Sequence, residues 1–322
     1  MGPIPFHLIG FSSEDAAKSA VSLVDKVIFD TSQQLGLNIE SLDGVTIAYD
    51  YRAALAGLDR GFQPNNPLAP TSDAVADGIA MAPMVRRDGR IMSHIVLNAS
   101  ILPTIEQPIS GIDGRYLIAH ELGHVHEHCC RDRVLPNTLL QPLDDPRDHP
   151  ILWQIAEACW CEYAACYLSA AIAPAHAAIY ETTIIDVLMG CRSRMIAIKQ
   201  RWIVDRDFGV VLEAMAAEAG AVLKYLSYLL GHAAGLEKST AEIAPRAWEV
   251  MREHDWLYHW VERTDAALRE MLDGFEQWTS MNAFDPLKDV ARGLLADCGV
   301  TLTQRDGRPY VVVSPAKVWI TA

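Results

Sequence analysis

The chain has 322 residues, is 50% hydrophobic and carries a formal net charge of −14 at pH 7. A chain of this length and apolar content can bury a sizeable core, which argues against wholesale disorder. The acidic balance argues against a nucleic-acid partner, because binding to phosphates needs a basic face. The N-terminus lacks the basic and apolar regions of a secretory signal, and there are seven cysteines. We therefore expect a cytoplasmic protein without a disulfide framework.

The chain begins with a predicted helix, a short strand and a second, shorter helix. They cover residues 13–35, 45–50 and 51–58. Apolar side chains recur at helical spacing through the first helix, and the hydroxyl of Ser12 or Ser13 can cap its N-terminus. The strand, VTIAYD, opens after Gly44.

A β-hairpin is predicted next, over residues 78–100, with its turn at Asp88-Gly89. Pro83 lies inside the first arm and cannot donate a hydrogen bond to a neighbouring strand. That arm, residues 79–85, is therefore expected at the edge of the sheet or at a bulge.

A capped helix follows, with the sequence YLIAHELGHVHEH, and Ser110 and Asp113 precede it as capping residues. Prolines then mark a loop between about 131 and 150. The remainder is predicted to be mainly helical and to end in a hairpin that turns at Asp306-Gly307. The predicted helices span residues 151–172, 175–203, 206–234, 245–278 and 286–297.

These elements predict an α+β chain whose first unit covers residues 1–174. A mainly helical region, 175–298, is expected to act as a lid or a partner-docking region, and a β-hairpin closes the chain over 299–322. The uncharged run at 163–180 is Ala-rich and interrupted by Pro174. It is expected to form a buried helix, so no membrane span is predicted.

Within the capped helix, HELGH places two histidines four residues apart. On a helix the rings of His120 and His124 project from the same face, one turn from each other. This spacing lets two imidazole nitrogens reach one zinc ion at about 2.0–2.1 Å. Glu121 lies between them, where its carboxylate can take a proton from a zinc-activated water and pass it to a leaving amine. HELGH is therefore an instance of the HExxH zinc-protease pattern.

A catalytic zinc usually has a third protein ligand. His128 would lie about 6 Å further along the helix axis than His124, and His126 points away from the ligand face. Glu162 lies among small residues in the sequence WCEYAACYLS, and burying a carboxylate there is costly unless it is paired or bound to a metal. Glu162 is therefore the preferred third ligand, and Glu157 competes for the same role.

HELGH followed by Glu-x-x-Ala on a second helix resembles the gluzincin metallopeptidases, and among them the ImmA/IrrE-type and the related HtpX-type enzymes. The resemblance covers about residues 78–174. It implies a zincin-like catalytic core, made of a small antiparallel sheet, an active-site helix and a ligand helix. It also implies a Zn²⁺ ion held by His120, His124 and Glu162, with Glu121 as the catalytic base.

The chain departs from this family at one position. The second motif of the family carries an aspartate that orients a zinc ligand, and this chain has Cys166 there. Glu157 or Asp186 is the acid that could substitute for it. In zincin-like enzymes the substrate chain pairs with an exposed strand ahead of the active-site helix, which would be residues 79–85.

The sequence thus predicts an intracellular zinc-dependent endopeptidase that cleaves a specific, regulatory protein or peptide substrate. The carbonyl oxygen of the substrate would need a further hydrogen-bond donor. Candidates nearby in sequence are Tyr163, Tyr167, His149 and His176. The alternative is a zincin-fold sensor or binding module with little or no proteolytic activity, which the missing aspartate and the unassigned helical half favour.

Overall fold

Helices dominate the chain, and a five-stranded sheet forms near its N-terminus, so the predicted α+β class is confirmed. The computed structural model describes residues 3–63, 67–70, 78–109, 111–141, 149–253, 255–306 and 308–314. The chain divides into two units, which are Met1–Leu140 with Ala164–His176, and Gln141–Tyr163 with Ala177–Ala322.

Within the described residues, the first unit contains the five-stranded sheet, three complete α-helices and the end of a fourth. Its elements are β1 (Phe6–Ile9), α1 (Glu14–Leu35), β2 (Leu42–Ala48), α2 (Tyr51–Ala56), β3 (Ala80–Met81), β4 (Met84–Arg87), β5 (Arg90–Asn98) and α3 (Gly114–Val134). The strand order is β1-β2-β5-β3, and β4 also pairs with β5.

The sheet is mixed, so the expected antiparallel sheet is wrong. β1 is parallel to β2 and β2 is parallel to β5, whereas β3 and β4 are antiparallel to β5. Parallel neighbours need long crossover connections, and here α1 connects β1 to β2 while α2 lies between β2 and β5. The turn residues Asp88 and Gly89 predict only the antiparallel pairing of β4 with β5, the two strands beside them.

Side-chain caps fix the N-termini of the two longer helices in this unit. The Ser13 hydroxyl accepts from the backbone N–H of Ala16 at 3.2 Å, so Ser13 rather than Ser12 begins α1. The Asp113 carboxylate accepts from the backbone N–H of Tyr116 at 3.0 Å and begins α3. The other predicted cap, Ser110, lies outside the described residues.

β3 and β4 pair with β5 in one continuous register, and Pro83 lies between them. Its carbonyl accepts from the backbone N–H of His94 at 2.9 Å, but proline has no N–H to return. The predicted edge position is confirmed in the described part of the sheet, because β3 lies at the end of the strand order.

The outer side of this edge is partly occupied. The backbone N–H of Arg86 donates to the carbonyl of Arg60 at 2.8 Å, and the Arg60 guanidinium donates to the carbonyl of Met84 at 3.2 Å. Because backbone groups alternate sides along a strand, the next outward-facing residues are Ala80 and Ala82. No described strand pairs with them on that side.

Two apolar clusters cover the two faces of the sheet. Ile47 and Ile95 belong to the larger cluster, which includes residues of α1 and α3. Val96 belongs to the smaller cluster, which includes Tyr51 and Leu55 of α2. α3 therefore packs its apolar side chains against one face of the sheet. This packing fixes the direction in which its polar side chains point.

The second unit is mainly helical and ends in a two-stranded sheet. Its remaining elements are α4 (Pro150–Ser169, up to Tyr163 in this unit), α5 (Ala177–Asp205), α6 (Phe208–Gly235), α7 (Thr240–Ile243), α8 (Pro245–Arg252), α9 (Asp255–Asp273), α10 (Asp285–Asp297), β6 (Val300–Arg305) and β7 (Arg308–Val313). In the described part of the chain, no helix has both the length and the apolar character needed to cross a bilayer.

The single helix predicted over 245–278 is wrong, because α8 ends at Arg252 and α9 begins at Asp255. Met251 and Leu257 are both buried, and they are six residues apart. In one straight helix, residues six apart lie on different faces, since three or four residues separate neighbours on one face. The burial of both side chains agrees with an interruption of the helix between them. The predicted C-terminal hairpin forms, although Gly307 of its turn lies outside the described residues.

Candidate metal centre

α3 brings His120 and His124 together, as their spacing predicts. Their Nε2 atoms lie 3.2 Å apart, and the ring planes are close to perpendicular, at 89°. Two nitrogens bound at 2.0–2.1 Å to one tetrahedral zinc ion would lie about 3.3–3.4 Å apart. The observed separation therefore fits two imidazoles that share one metal ion.

The last turns of α4 approach α3 closely at Gly123. A Cβ at this position would lie 2.9 Å from the Cα of Ala165, which is too close for any side chain. The prediction that Gly123 leaves room for close packing is confirmed. The close approach brings the backbone of α4 next to the histidine pair, because Gly123 directly precedes His124.

Glu162 precedes Ala165 by three residues on the continuous helix α4, so it lies on the same side of that helix. One ligand atom from each of His120, His124 and Glu162 lies within 4.8 Å of the other two. Two histidines and one carboxylate form a donor set that suits a catalytic zinc and leaves a coordination position open. In the searched, described residues, Glu157 belongs to no such group.

Cys166, where the resembled family has an aspartate, contacts the first histidine. Its buried Sγ lies 3.7 Å from Nδ1 of His120, and the Tyr116 hydroxyl donates to the same sulfur at 4.0 Å. A histidine that binds a metal through Nε2 carries its hydrogen on Nδ1, and it donates that hydrogen to a neighbouring acceptor. With a metal ion on Nε2 of His120, the Cys166 sulfur would be that acceptor in this chain. Asp186, one of the acids that could substitute for the aspartate, is exposed on α5.

Replacing Cys166 with Asp is expected to tighten zinc binding by about 10-fold, because a carboxylate is a stronger acceptor and makes the imidazole a better ligand. Competition against a chelator of known affinity measures the change. Cys166→Ala removes the acceptor and is expected to weaken binding by a similar factor. Equal zinc affinity in the two variants would show that the sulfur does not orient His120.

The remaining histidines of α3 have structural partners. Nδ1 of His126 accepts from the backbone N–H of Asn38 at 2.8 Å, which ties the helix to the segment after α1. Nδ1 of His128 lies 2.9 Å from the Ser93 hydroxyl of β5. Burial, with smaller contributions from neighbouring positive groups, lowers the pKa of His128 well below its usual range. These two rings therefore fix α3 against the rest of the unit. The lowered pKa keeps the ring of His128 neutral.

A second set of possible ligands consists of Glu127, His128 and Cys161. The buried guanidinium of Arg131 lies 3.1 Å from the Glu127 carboxylate. This positive charge already neutralises the carboxylate and opposes a cation beside it. We assign no metal to this second set.

The pairing of His120 with His124 follows from helix periodicity. The positions of Glu162 and Cys166 beside this pair do not, because they depend on how α3 and α4 approach each other. No protein-family model, curated protein or solved structure matches this chain.

Proposed function

We propose that the protein is a zinc-dependent endopeptidase that hydrolyses peptide bonds in a specific, regulatory intracellular protein. One observation carries the proposal: the Nε2 atoms of His120 and His124 lie 3.2 Å apart, with the carboxylate of Glu162 in the same group. Two imidazoles and one carboxylate match the ligand preferences of zinc, and HELGH is an instance of the zinc-protease pattern.

The chemistry assigns a separate role to each acidic residue. A zinc ion bound at these residues would lower the pKa of a water towards about 7 and polarise the substrate carbonyl. Glu121 is buried and adjoins His120 in sequence. Its carboxylate would remove a proton from the attacking water and deliver that proton to the departing amine nitrogen.

The edge of the sheet supports a peptide as the substrate. Ala80 and Ala82 turn backbone groups outward from β3, and α3 packs against this strand. An extended peptide can satisfy such groups by adding one strand to the sheet. A substrate held this way would run beside the helix that carries the candidate base.

Metal analysis and cleavage together test the proposal. Protein purified without added metal is expected to contain about one zinc ion per chain, and incubation with a peptide library is expected to yield cleaved products by mass spectrometry. Prolonged chelation should abolish cleavage, and a stoichiometric addition of zinc should restore it. Absence of zinc, or cleavage that survives its removal, would refute the proposal.

The alternative is a zincin-fold sensor without proteolytic activity, which the missing aspartate at position 166 and the unassigned helical half favour. We propose the endopeptidase because the His120–His124 pair, Glu162 and Glu121 are the residue types that zinc-dependent hydrolysis needs.

A further inference from the structure

Arg60 and Arg86 place two positive charges around one aromatic ring beside the open edge of the sheet. The guanidinium carbon of Arg60 lies 4.5 Å from the ring centroid of Phe62, and that of Arg86 lies 6.0 Å from the same centroid. All three side chains are half-buried. An aromatic face attracts a guanidinium group, so the ring of Phe62 holds both cations in one place.

Within the part of the chain that the structure describes, no carboxylate forms an ion pair with either guanidinium group. The Arg60 side chain donates through Nε, to the backbone carbonyl of Met84 at 3.2 Å. The adjacent carboxylate of Asp59 instead accepts from the backbone N–H of Gly61 at 2.8 Å. Two like charges held near each other repel, and an anion placed between them would remove this repulsion.

The two arginines lie where a peptide strand added to β3 would leave the open part of the edge. Among the described strands, none pairs with the outward backbone groups of Ala80 and Ala82. The outward groups of Met84 and Arg86 contact Arg60 instead. A peptide residue paired with Ala82 would therefore lie two strand positions, or about 6.6 Å, from the Arg60 contact. The side chain of a nearby Asp or Glu can span the remaining distance.

The same edge adjoins the helix of the candidate metal centre. Ala82 packs in the apolar cluster that includes Leu122 of α3, and Leu122 directly follows Glu121. Side chains alternate between the two faces of a strand, so those of Ala82 and Arg86 lie on the same face of the edge. Arg86 and the helix that carries the candidate base therefore lie on one face of the sheet.

The geometry points to Arg60 and Arg86 as a binding site for an acidic side chain, Asp or Glu, of the peptide substrate, an inference that rests on the proposed peptidase function. The carboxylate would accept hydrogen bonds from guanidinium N–H groups, a strong and charge-assisted contact. This contact is remote from the bond to be cleaved, so it strengthens binding of substrate and transition state alike. It therefore lowers KM and leaves kcat unchanged.

A library of peptides with amidated C-termini tests the site, because only their side chains then carry carboxylates. The wild type is expected to prefer Asp or Glu over Asn or Gln at one position within about four residues of the cleaved bond. For the preferred peptide, replacing this acid with its amide is expected to raise KM by about 10-fold, with kcat within about twofold. High salt should weaken the preference, since it screens partly exposed charges.

Arg86→Gln is the most direct variant, because the Phe62 ring is the only described contact of that side chain. KM for the acidic peptide is expected to rise by about fivefold, and KM for its amide counterpart should not change. Arg60→Gln should show the same pattern with a lower melting temperature, since it also removes the hydrogen bond to Met84. Arg90→Gln is the matched control, because Arg90 is exposed at the start of β5. Its KM should stay within about twofold of wild type for both peptides.

A reversal of charge makes the test independent of folding defects. Arg86→Glu is expected to cleave the acidic peptide poorly. It should cleave a peptide with Lys at the selected position with a kcat/KM about fivefold higher than that of the wild type for the same peptide. A misfolded protein cannot produce this gain.

The outcomes separate the binding site from the peptidase. Cleavage without a preference for acids, or a preference that Arg86→Gln and Arg60→Gln leave unchanged, would overturn the site and leave the peptidase proposal standing. A wild type that cleaves no peptide would overturn the peptidase, and binding to an array of the same peptides would then decide on the site. Tighter binding of acidic than of amide peptides that is lost in Arg86→Gln would support the site, and equal binding would overturn it.

Discussion

Replacing Glu121 with Gln is expected to lower kcat/KM for peptide hydrolysis by about 10²–10⁴-fold and to leave zinc binding unchanged. The amide has the shape of the carboxylate but cannot accept a proton from water. Glu121 is not one of the three grouped ligand residues, so the metal should remain bound. Cleavage of a wild-type substrate peptide and zinc analysis of the same protein preparation measure the two quantities.

A matched substitution at a distant carboxylate controls for charge. Glu106 is exposed, and Glu106→Gln is expected to have wild-type activity. If Glu121→Gln retained hydrolysis, another group would have to be the base. If it lost zinc, Glu121 would be a ligand.

The Glu121→Gln protein also separates the peptidase from the sensor. An inactive enzyme that still binds its substrate should retain protein substrates, whose identity and cleavage sites mass spectrometry can determine. Cells that carry this variant should lose the function of the protein if cleavage is its role. Full biological function in such cells would favour a sensor that uses the same fold without cutting.

Replacing Glu162 with Gln is expected to weaken zinc binding by about 100-fold or more, because the variant loses the anionic member of a three-residue ligand set. Thermal unfolding at a fixed zinc concentration gives a sensitive measurement. At 100 times the wild-type Kd, zinc stabilises the folded state by about 2.7 kcal/mol. A variant with 100-fold weaker binding would gain only about 0.4 kcal/mol under the same conditions.

Glu157→Gln is the control for Glu162→Gln, since it makes the same change one and a half turns earlier on α4. Its zinc affinity is expected to lie within about threefold of the wild-type value. The reverse pattern, with Glu157→Gln as the weaker binder, would identify Glu157 as the third ligand. Equal effects of both variants would indicate a general change in charge rather than the loss of a ligand.

The elements with local signals were predicted best from the sequence. The capped helix around HELGH needs only apolar periodicity and the Asp113 side chain, and both act within a few residues. The hairpin at Asp88-Gly89 similarly reports its own turn, because both residues adopt positive φ there, at 50° and 80°. The grouping of His120 with His124 follows from the same helical geometry.

The elements without local signals were missed. β1 has four residues and pairs in parallel with a strand more than thirty residues later, so its partner is not visible in its own sequence. Glu162 and Cys166 reach the histidine pair only through the approach of α4 to α3, which no spacing along the chain reveals. The break between α8 and α9 lacks Gly and Pro, and it becomes visible only when buried positions show a change of helical phase.

The contacts of Arg60 with β4 have a consequence for solubility. A long, flat and open strand at the edge of a sheet invites other copies of the chain to stack on it, which leads to aggregation. Arg60 covers the backbone at Met84 and Arg86, and Pro83 interrupts the strand in front of them. Among the described residues, this leaves a gap about three residues long, from Ala80 to Ala82. Such a gap offers backbone groups to only a short stretch of extended chain, which is less than the long open edge that promotes stacking.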